Sequence, residues 1–166
     1  MSDLTDRHSK HSSVREEYAE YILLGQLCSH AWRVGRFIEI ARSQTDAFGY
    51  DVILTCDGLT RHVQLKTMKM GAKTSFQKVS RLLEQAPSGC VIWSVLAEDT
   101  LLPVNYGWFG GQPGEKLPPL GDEVARHTKG NKDGHKTERQ NHRKVKKAAF
   151  CWIESTNQVF EKLFGK

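Results

Sequence analysis

The chain has 166 residues, of which 39% are hydrophobic and 26% charged, a composition typical of one globular domain that buries its own core. The sequence has no apolar run near the ~18 residues of a membrane span and no apolar segment of a secretory signal, so we expect a cytoplasmic protein. The four cysteines are widely spaced and match no zinc-site pattern, which predicts reduced thiols.

The N-terminal part of the chain predicts one helix followed by a strand. After a flexible tail over residues 1–13, Ser13 and Glu16 fit a capping box, so a helix is predicted over about residues 14–30. Residues 36–41 then have strand character.

The later elements complete an α/β pattern. Residues 75–86 have apolar side chains at helical spacing, and residues 90–96 form the continuous apolar run of a strand buried on both faces. The order αβββαβ predicts a mixed central β-sheet flanked by helices. We treat residues 14–166 as a single domain, which comprises a core over 14–96, a loop over 98–121 and a basic helical region over 122–166.

Residues 50–67 predict a β-hairpin, because alternating apolar and polar side chains flank Asp57-Gly58, a strong turn signal. A two-residue turn places Asp51 opposite Gln64, with Lys66 further along the same face. A four-residue loop would keep these three side chains together, whereas an odd-length loop or a bulge would separate them. Two interpretations are open: the face meets only solvent, or it carries a functional site.

The predicted first helix places a carboxylate among apolar residues. At about 100° per residue, Glu20 lies in the middle of an apolar stripe, and a carboxylate rarely faces a core unless it is paired or binds a metal. Glu16 and Glu17 are the alternatives, although both also suit the dipole at the helix start. The apolar stripe consists of Leu23, Leu24, Leu27 and Ala31.

The order Glu20, Asp51, Gln64-Leu65-Lys66 resembles the PD-(D/E)XK nuclease superfamily, in particular its Mrr-type restriction endonuclease and archaeal Holliday-junction resolvase branch. In that branch a helical Glu precedes a D-x-G-h-D loop and a strand with Q/E-x-K. The chain departs from the pattern at Ala47-Phe48, which is inserted before the glycine, and at Gln64, where an acidic residue is commoner. The resemblance covers about half of the chain.

The resemblance implies a metal-dependent DNA endonuclease for defence or repair, with Glu20, Asp51, Gln64 and Lys66 as catalytic residues. Asp51, the Gln64 amide oxygen, the Leu65 carbonyl and Glu20 would hold Mg²⁺ or Mn²⁺, both of which prefer oxygen ligands. Lys66 would orient the attacking water or stabilise the transition state. Because Gln64 has no charge, a weak or inactive nucleic-acid-binding module of the same fold remains open, as does a ribonuclease.

Positive charge is concentrated near the C-terminus. From Arg126 to Lys147 nine Lys and Arg residues accompany two acidic residues, a net +7 in a chain whose total is +5. Such a segment suits nucleic-acid phosphates, although a solvated helix face is the alternative. DNA is the expected partner, RNA remains open, and a homodimer would allow both strands to be cut. The candidate contacts are Lys69, Lys73 and Lys78 after the hairpin, and Lys136, Arg139, Arg143, Lys144, Lys146 and Lys147 at helical spacing.

Overall fold

The computed structural model describes residues 2–45, 47–127 and 137–166, in which three helices and nine strands are assigned. None of the described helices is long and apolar enough to cross a membrane. The helices are α1 (Ser2–Lys10), α2 (Ser12–Arg33) and α3 (Thr156–Phe164). The strands are β1 (Glu39–Arg42), β2 (Val52–Cys56), β3 (Leu59–Lys69), β4 (Phe76–Ser80), β5 (Gly89–Leu96), β6 (Pro103–Gly110), β7 (Val124–Arg126), β8 (Glu138–Lys146) and β9 (Cys151–Ile153).

Six of the strands form one mixed sheet, in the order β1-β2-β3-β5-β6-β9. All neighbours are antiparallel except β3 and β5, which are parallel. The predicted mixed sheet and hairpin are therefore confirmed. Asp57 and Gly58 both have positive φ, 50° and 78°, as a type I′ turn requires, and Val52 lies opposite Val63 in the predicted register.

A hydrophobic cluster lies on each face of this large sheet. Helices α2 and α3 cover one face, where Leu27 and Leu163 are fully buried. The other face is covered by a small sheet in the order β4-β8-β7 and by a 3₁₀ turn over Arg81–Gln85. Trp93 of β5 is completely buried on this second face, with its ring centroid 5.1 Å from that of Phe150 and 5.4 Å from that of Trp152.

The helix predicted over residues 75–86 is wrong, because this segment contains β4 and then the 3₁₀ turn. The Ser80 hydroxyl begins the turn by accepting a hydrogen bond of 3.3 Å from the Leu82 amide. A spacing of three or four residues between apolar side chains fits a helix, but here Val79 is buried from a strand and Leu83 from the turn that follows. β4 forms because β8 supplies its backbone partners, a pairing that local periodicity does not reveal.

The helical prediction for the basic region over residues 122–166 is wrong for the described residues outside α3, which contain three strands. The region contains β7, β8 and β9, and its described helix is α3. Side chains of a strand alternate between two faces, so β8 buries Val145 against the core while Lys144 points to the other face. The basic residues of β8 are therefore arranged by the alternation of a strand and not by helical spacing.

Three other boundaries differ from the prediction. Helix α1 occupies most of the segment predicted as a tail, and α2 begins and ends a few residues beyond residues 14–30. β1 is shifted to the C-terminal side of residues 36–41. The loop predicted over residues 98–121 contains β6, whose central residues are buried in the large sheet.

Arg61 of β3 is fully buried and ties the sheet to α3. Its guanidinium donates to the carbonyl oxygens of Leu163 and Lys162, each at 2.8 Å, and to that of Gly111 at 3.0 Å. The last carbonyls of a helix have no partner within the helix, so Arg61 supplies the missing donors. Burial lowers the pKa of Arg61.

Candidate functional site

A cleft of about 900 Å³ opens between the hairpin, the N-terminal half of α2 and the small sheet. Its first wall contains all the residues that the sequence predicts as catalytic. These are Glu20 from α2, Asp51 from the residue before β2, and Gln64 and Lys66 from β3; the same wall contains Leu65, whose carbonyl is a predicted metal ligand. The second wall is formed by Thr74, Phe76, Gln77, Lys78, Arg126, His127, Arg139, His142 and Lys144.

Asp51 is fixed to β3 by its own backbone and side chain. Its amide donates to the Val63 carbonyl at 2.9 Å, and its Oδ2 atom accepts a hydrogen bond of 2.6 Å from the Leu65 amide. A carboxylate that accepts from a backbone amide is held in one orientation. Asp51, Gln64 and Lys66 thus line one cleft, although the paired register of the hairpin ends at Val52 and Val63.

Gln64 joins the two walls of the cleft. Its side chain is 4% exposed, and its Oε1 atom accepts a hydrogen bond of 3.2 Å from the backbone amide of Ser80 at the end of β4. Because that amide is a donor, the oxygen rather than the nitrogen of the Gln64 amide must face it. A carbonyl-type oxygen has a second lone pair, which is the one that a cation would use.

Gly49 allows the segment before Asp51 to pack against the same serine. Its φ is +76°, and a Cβ atom added to it would lie 2.5 Å from Ser80 Oγ and 2.6 Å from Ser80 Cβ. Both the left-handed backbone and the close approach require glycine here. Gly49 is the glycine of the motif that resembles D-x-G-h-D, so the structure gives this motif position a packing role.

Glu20 lies at the edge of the cleft, where it is partly shielded from water. It forms an ion pair with Arg42, with Oε1 2.9 Å from the guanidinium nitrogen, and its side chain is 20% exposed. Burial raises the pKa of Glu20, Arg42 opposes this effect, and the nearby charges of Asp51 and Glu17 raise the pKa further. Two carboxylates therefore face the cleft close enough to repel each other.

The donor set fits a hard divalent cation that is held partly by its substrate. Within residues 2–45, 47–127 and 137–166, no three His, Cys, Asp or Glu side chains come close enough to chelate a metal. Mg²⁺, however, usually binds one or two carboxylates and completes its shell with waters and substrate phosphates. Asp51 and Glu20 supply the carboxylates, and a cation between them would relieve their mutual repulsion.

The predicted phosphate contacts divide into two groups. Arg139 lines the cleft, together with Lys78 and Lys144, which lies 2.9 Å from Glu123 and over the Phe76 ring. Lys136 lies outside the described residues. The other predicted contacts lie outside the lining of the cleft; they are Lys69, Lys73, Arg143, Lys146 and Lys147.

Two of the residues outside the lining make specific contacts with other side chains of the protein. Lys69 Nζ lies 3.3 Å from a Glu98 carboxylate oxygen, and Lys147 Nζ lies over the Trp152 ring, 5.1 Å from its centroid. Sequence reasoning missed Gln77 and Arg126 as lining residues, because they lie on β4 and β7, which were predicted as helix. It also missed Thr74, which lies in the segment before β4.

Known proteins give little further information about the chain. No protein family and no curated protein sequence matches it. A solved structure of a bacterial homing endonuclease is similar to it at 15% identity, covering 75% of this chain and 85% of that chain, with a TM-score of 0.35. A similarity this distant carries no argument about fold or function, so the function is argued from the cleft itself.

We predict that Gly49→Ala destabilises the protein more than Gly71→Ala does. Both glycines have similar positive φ, 76° and 78°, but the space around a Cβ atom at Gly71 is open whereas Ser80 occupies it at Gly49. Gly71→Ala should cost about 1 kcal/mol from backbone strain, and Gly49→Ala about 1–3 kcal/mol more from overpacking. Urea denaturation measures both costs, and equal values would show that Ser80 does not restrict Gly49.

We predict that Glu20→Gln is more stable than the natural protein at pH 7 in the presence of EDTA. The folded-state pKa of Glu20 lies above its ordinary value of 4.5, so ionisation costs stability at neutral pH. This cost is lost as the pH falls through the folded pKa toward 4.5, and the two proteins should then become equally stable. Denaturation curves between pH 4 and pH 8 test this; lower stability of Glu20→Gln at pH 7 would mean that the Arg42 ion pair outweighs burial.

Proposed function

We propose that the protein is a metal-dependent DNA endonuclease that hydrolyses phosphodiester bonds in defence or repair. The observation that carries the proposal is the composition of the cleft, in which Glu20, Asp51, Gln64 and Lys66 face a wall that contains Lys78, Arg126, Arg139 and Lys144. A nucleic-acid backbone between these walls would have oxygen ligands for a cation on one side and positive charge on the other.

The basic wall would bind the phosphates on either side of the bond that is cut. Lys and Arg side chains release counterions when they neutralise phosphates, which supplies most of the affinity that is independent of sequence. Arg126 and Arg139 come from two neighbouring strands of the small sheet, and both line the cleft. A cleft with several cationic side chains would track a backbone rather than hold a single small anion.

The acidic wall would carry out the hydrolysis. Asp51, the Gln64 oxygen, the Leu65 carbonyl and Glu20 would hold Mg²⁺ or Mn²⁺, which polarises the scissile phosphate and neutralises its charge. Lys66 would donate to the developing negative charge or orient the attacking water. The raised pKa of Glu20 makes it a better proton acceptor for that water. A homodimer would place two such clefts on the two strands of a duplex.

One observation favours a second function, which is nucleic-acid binding without cleavage. The Gln64 oxygen already accepts the Ser80 amide and brings no charge to the cation, so metal affinity would be lower than with a carboxylate. The contacts proposed for the basic wall are with phosphates, which DNA and RNA share. The assays below therefore include RNA and a measurement of binding.

We predict that Asp51→Asn and Lys66→Ala each lose at least about a hundredfold of DNA cleavage in Mg²⁺ or Mn²⁺. Asp51→Asn keeps an oxygen that can accept the Leu65 amide, so loss of activity would reflect the missing charge rather than a lost hydrogen bond. The assay uses supercoiled plasmid and structured RNA, with EDTA as the blank. Asp99→Ala and Lys116→Ala, which are exposed and outside the cleft lining, should cleave normally.

Each outcome of this assay has a distinct meaning. Cleavage that persists in both cleft variants would show that the assigned residues do not form the active site. DNA that is bound but not cut by the natural protein would support the binding module. Cleavage of RNA alone would establish a ribonuclease.

We predict that Arg139→Gln lowers the salt dependence of DNA binding, whereas Lys147→Gln does not. Each phosphate contact contributes about one unit to the slope of log Kobs against log salt concentration. Arg139 lines the cleft, and Lys147 lies outside its lining and over Trp152. Fluorescence anisotropy in EDTA at several salt concentrations measures both slopes. An equal decrease for the two variants would place the DNA outside the cleft.

A further inference from the structure

An exposed aromatic side chain lies in the segment that leads into Asp51. We define the Asp51 loop as residues 43–45 and 47–50. Its Phe48 is 61% exposed, and its ring stacks nearly parallel to that of Tyr50, with 6.2 Å between centroids and 17° between planes. The Tyr50 ring in turn contacts the His62 ring edge-on at 4.8 Å. The three rings form a row that starts in solvent and ends on β3.

This row is held in place at several points. Gly49, between the two aromatic residues, is buried and packs against Ser80. His62 Nδ1 lies 2.6 Å from the Pro87 carbonyl oxygen. The Ser43 amide donates to the Asp51 carbonyl at 2.9 Å, which closes the loop at its base. Phe48 is therefore presented to solvent by a braced backbone, three residues before Asp51.

A smaller cavity of about 300 Å³ adjoins the loop. Ser43, Gln44, Thr45 and Tyr50 line its loop side, and Glu20 and Asp51 line both this cavity and the cleft. Its volume is at the lower end of the range for small-ligand pockets. The Tyr50 ring suits the flat face of a nucleobase, and the Gln44 amide and the Ser43 and Thr45 hydroxyls suit its polar edge.

We propose that the Asp51 loop binds the base of an unpaired nucleotide beside the scissile phosphate, with Phe48 as the stacking platform. This inference rests on the proposed function and names its substrate class, which is DNA with an unpaired nucleotide at the cut. A base within a duplex is stacked on its neighbours and cannot offer a face to Phe48 unless it leaves the stack. Every base has such a face, so stacking here would be tolerant of sequence.

Phe37 provides a matched control for Phe48. It is 71% exposed but follows α2 and contacts the Trp32 ring, which lines neither cavity, whereas the Phe48 ring stacks on Tyr50, which lines the smaller one. A non-specific apolar contact with nucleic acid would use either phenylalanine. A stacking subsite next to Asp51 would use Phe48 alone.

The test measures binding in EDTA, so it does not depend on cleavage. A single-stranded oligonucleotide that contains 2-aminopurine is titrated with the protein, because stacking on an aromatic ring changes the fluorescence of this base. Phe48→Ala should lower the affinity about tenfold and abolish the fluorescence change. Phe48→Trp should retain both, and Phe37→Ala should behave as the natural protein. For a fully paired duplex, Phe48→Ala should bind as well as the natural protein.

The outcomes separate this inference from the proposed function. An unchanged fluorescence response in Phe48→Ala, or an equal loss in Phe37→Ala, overturns the stacking subsite. An equal loss for paired and unpaired DNA overturns the substrate class. If the natural protein shows the response but cuts no DNA in Mg²⁺ or Mn²⁺, the nuclease proposal fails and the base-binding subsite stands. Circular dichroism of each variant checks that the exposed substitution leaves the fold intact.

Discussion

The parallel pairing of β3 with β5 is the constraint on which the rest of the structure depends. A chain that leaves one strand and returns to lie parallel beside it must cross the face of the sheet. Here the crossing segment contains β4 and a 3₁₀ turn rather than a long helix. Because β4 is itself a strand, it has an open edge that pairs with β8, and a second sheet forms over the first. The cleft is the space left between the two.

The crossing between β3 and β5 places both walls of the cleft. β3 carries Gln64 and Lys66 on the face toward the crossing, and the amide at the end of β4 donates to Gln64. A polar side chain that is 4% exposed and joined to a second element fixes the spacing of the walls, because an unpaired amide there would cost stability. The neutral amide of Gln64 thus has a structural role, because its hydrogen bond joins β3 to the end of β4. A carboxylate at this position would also bind the Ser80 amide, but it would add charge at a buried site.

The hairpin and the face that carries Gln64 and Lys66 could be predicted from the sequence because their determinants are local. Asp57-Gly58 fixes the turn, the turn fixes the register, and the alternation then directs Asp51 and Gln64 toward one cleft. Glu20 could be singled out because a carboxylate on an apolar helix face is unusual. The small sheet could not be predicted in this way, since β4 lies far in the sequence from its partner β8.

The placement of tryptophan gives the small sheet an intrinsic optical reporter. Trp93 is completely buried between the two sheets and contacts Phe150 and Trp152, whereas Trp32 is 75% exposed on α2. A movement that lifts the small sheet would bring water to the Trp93 indole and shift its emission to longer wavelength. Emission from Trp93 would therefore report a separation of the two sheets, without a label at the residues that would contact nucleic acid.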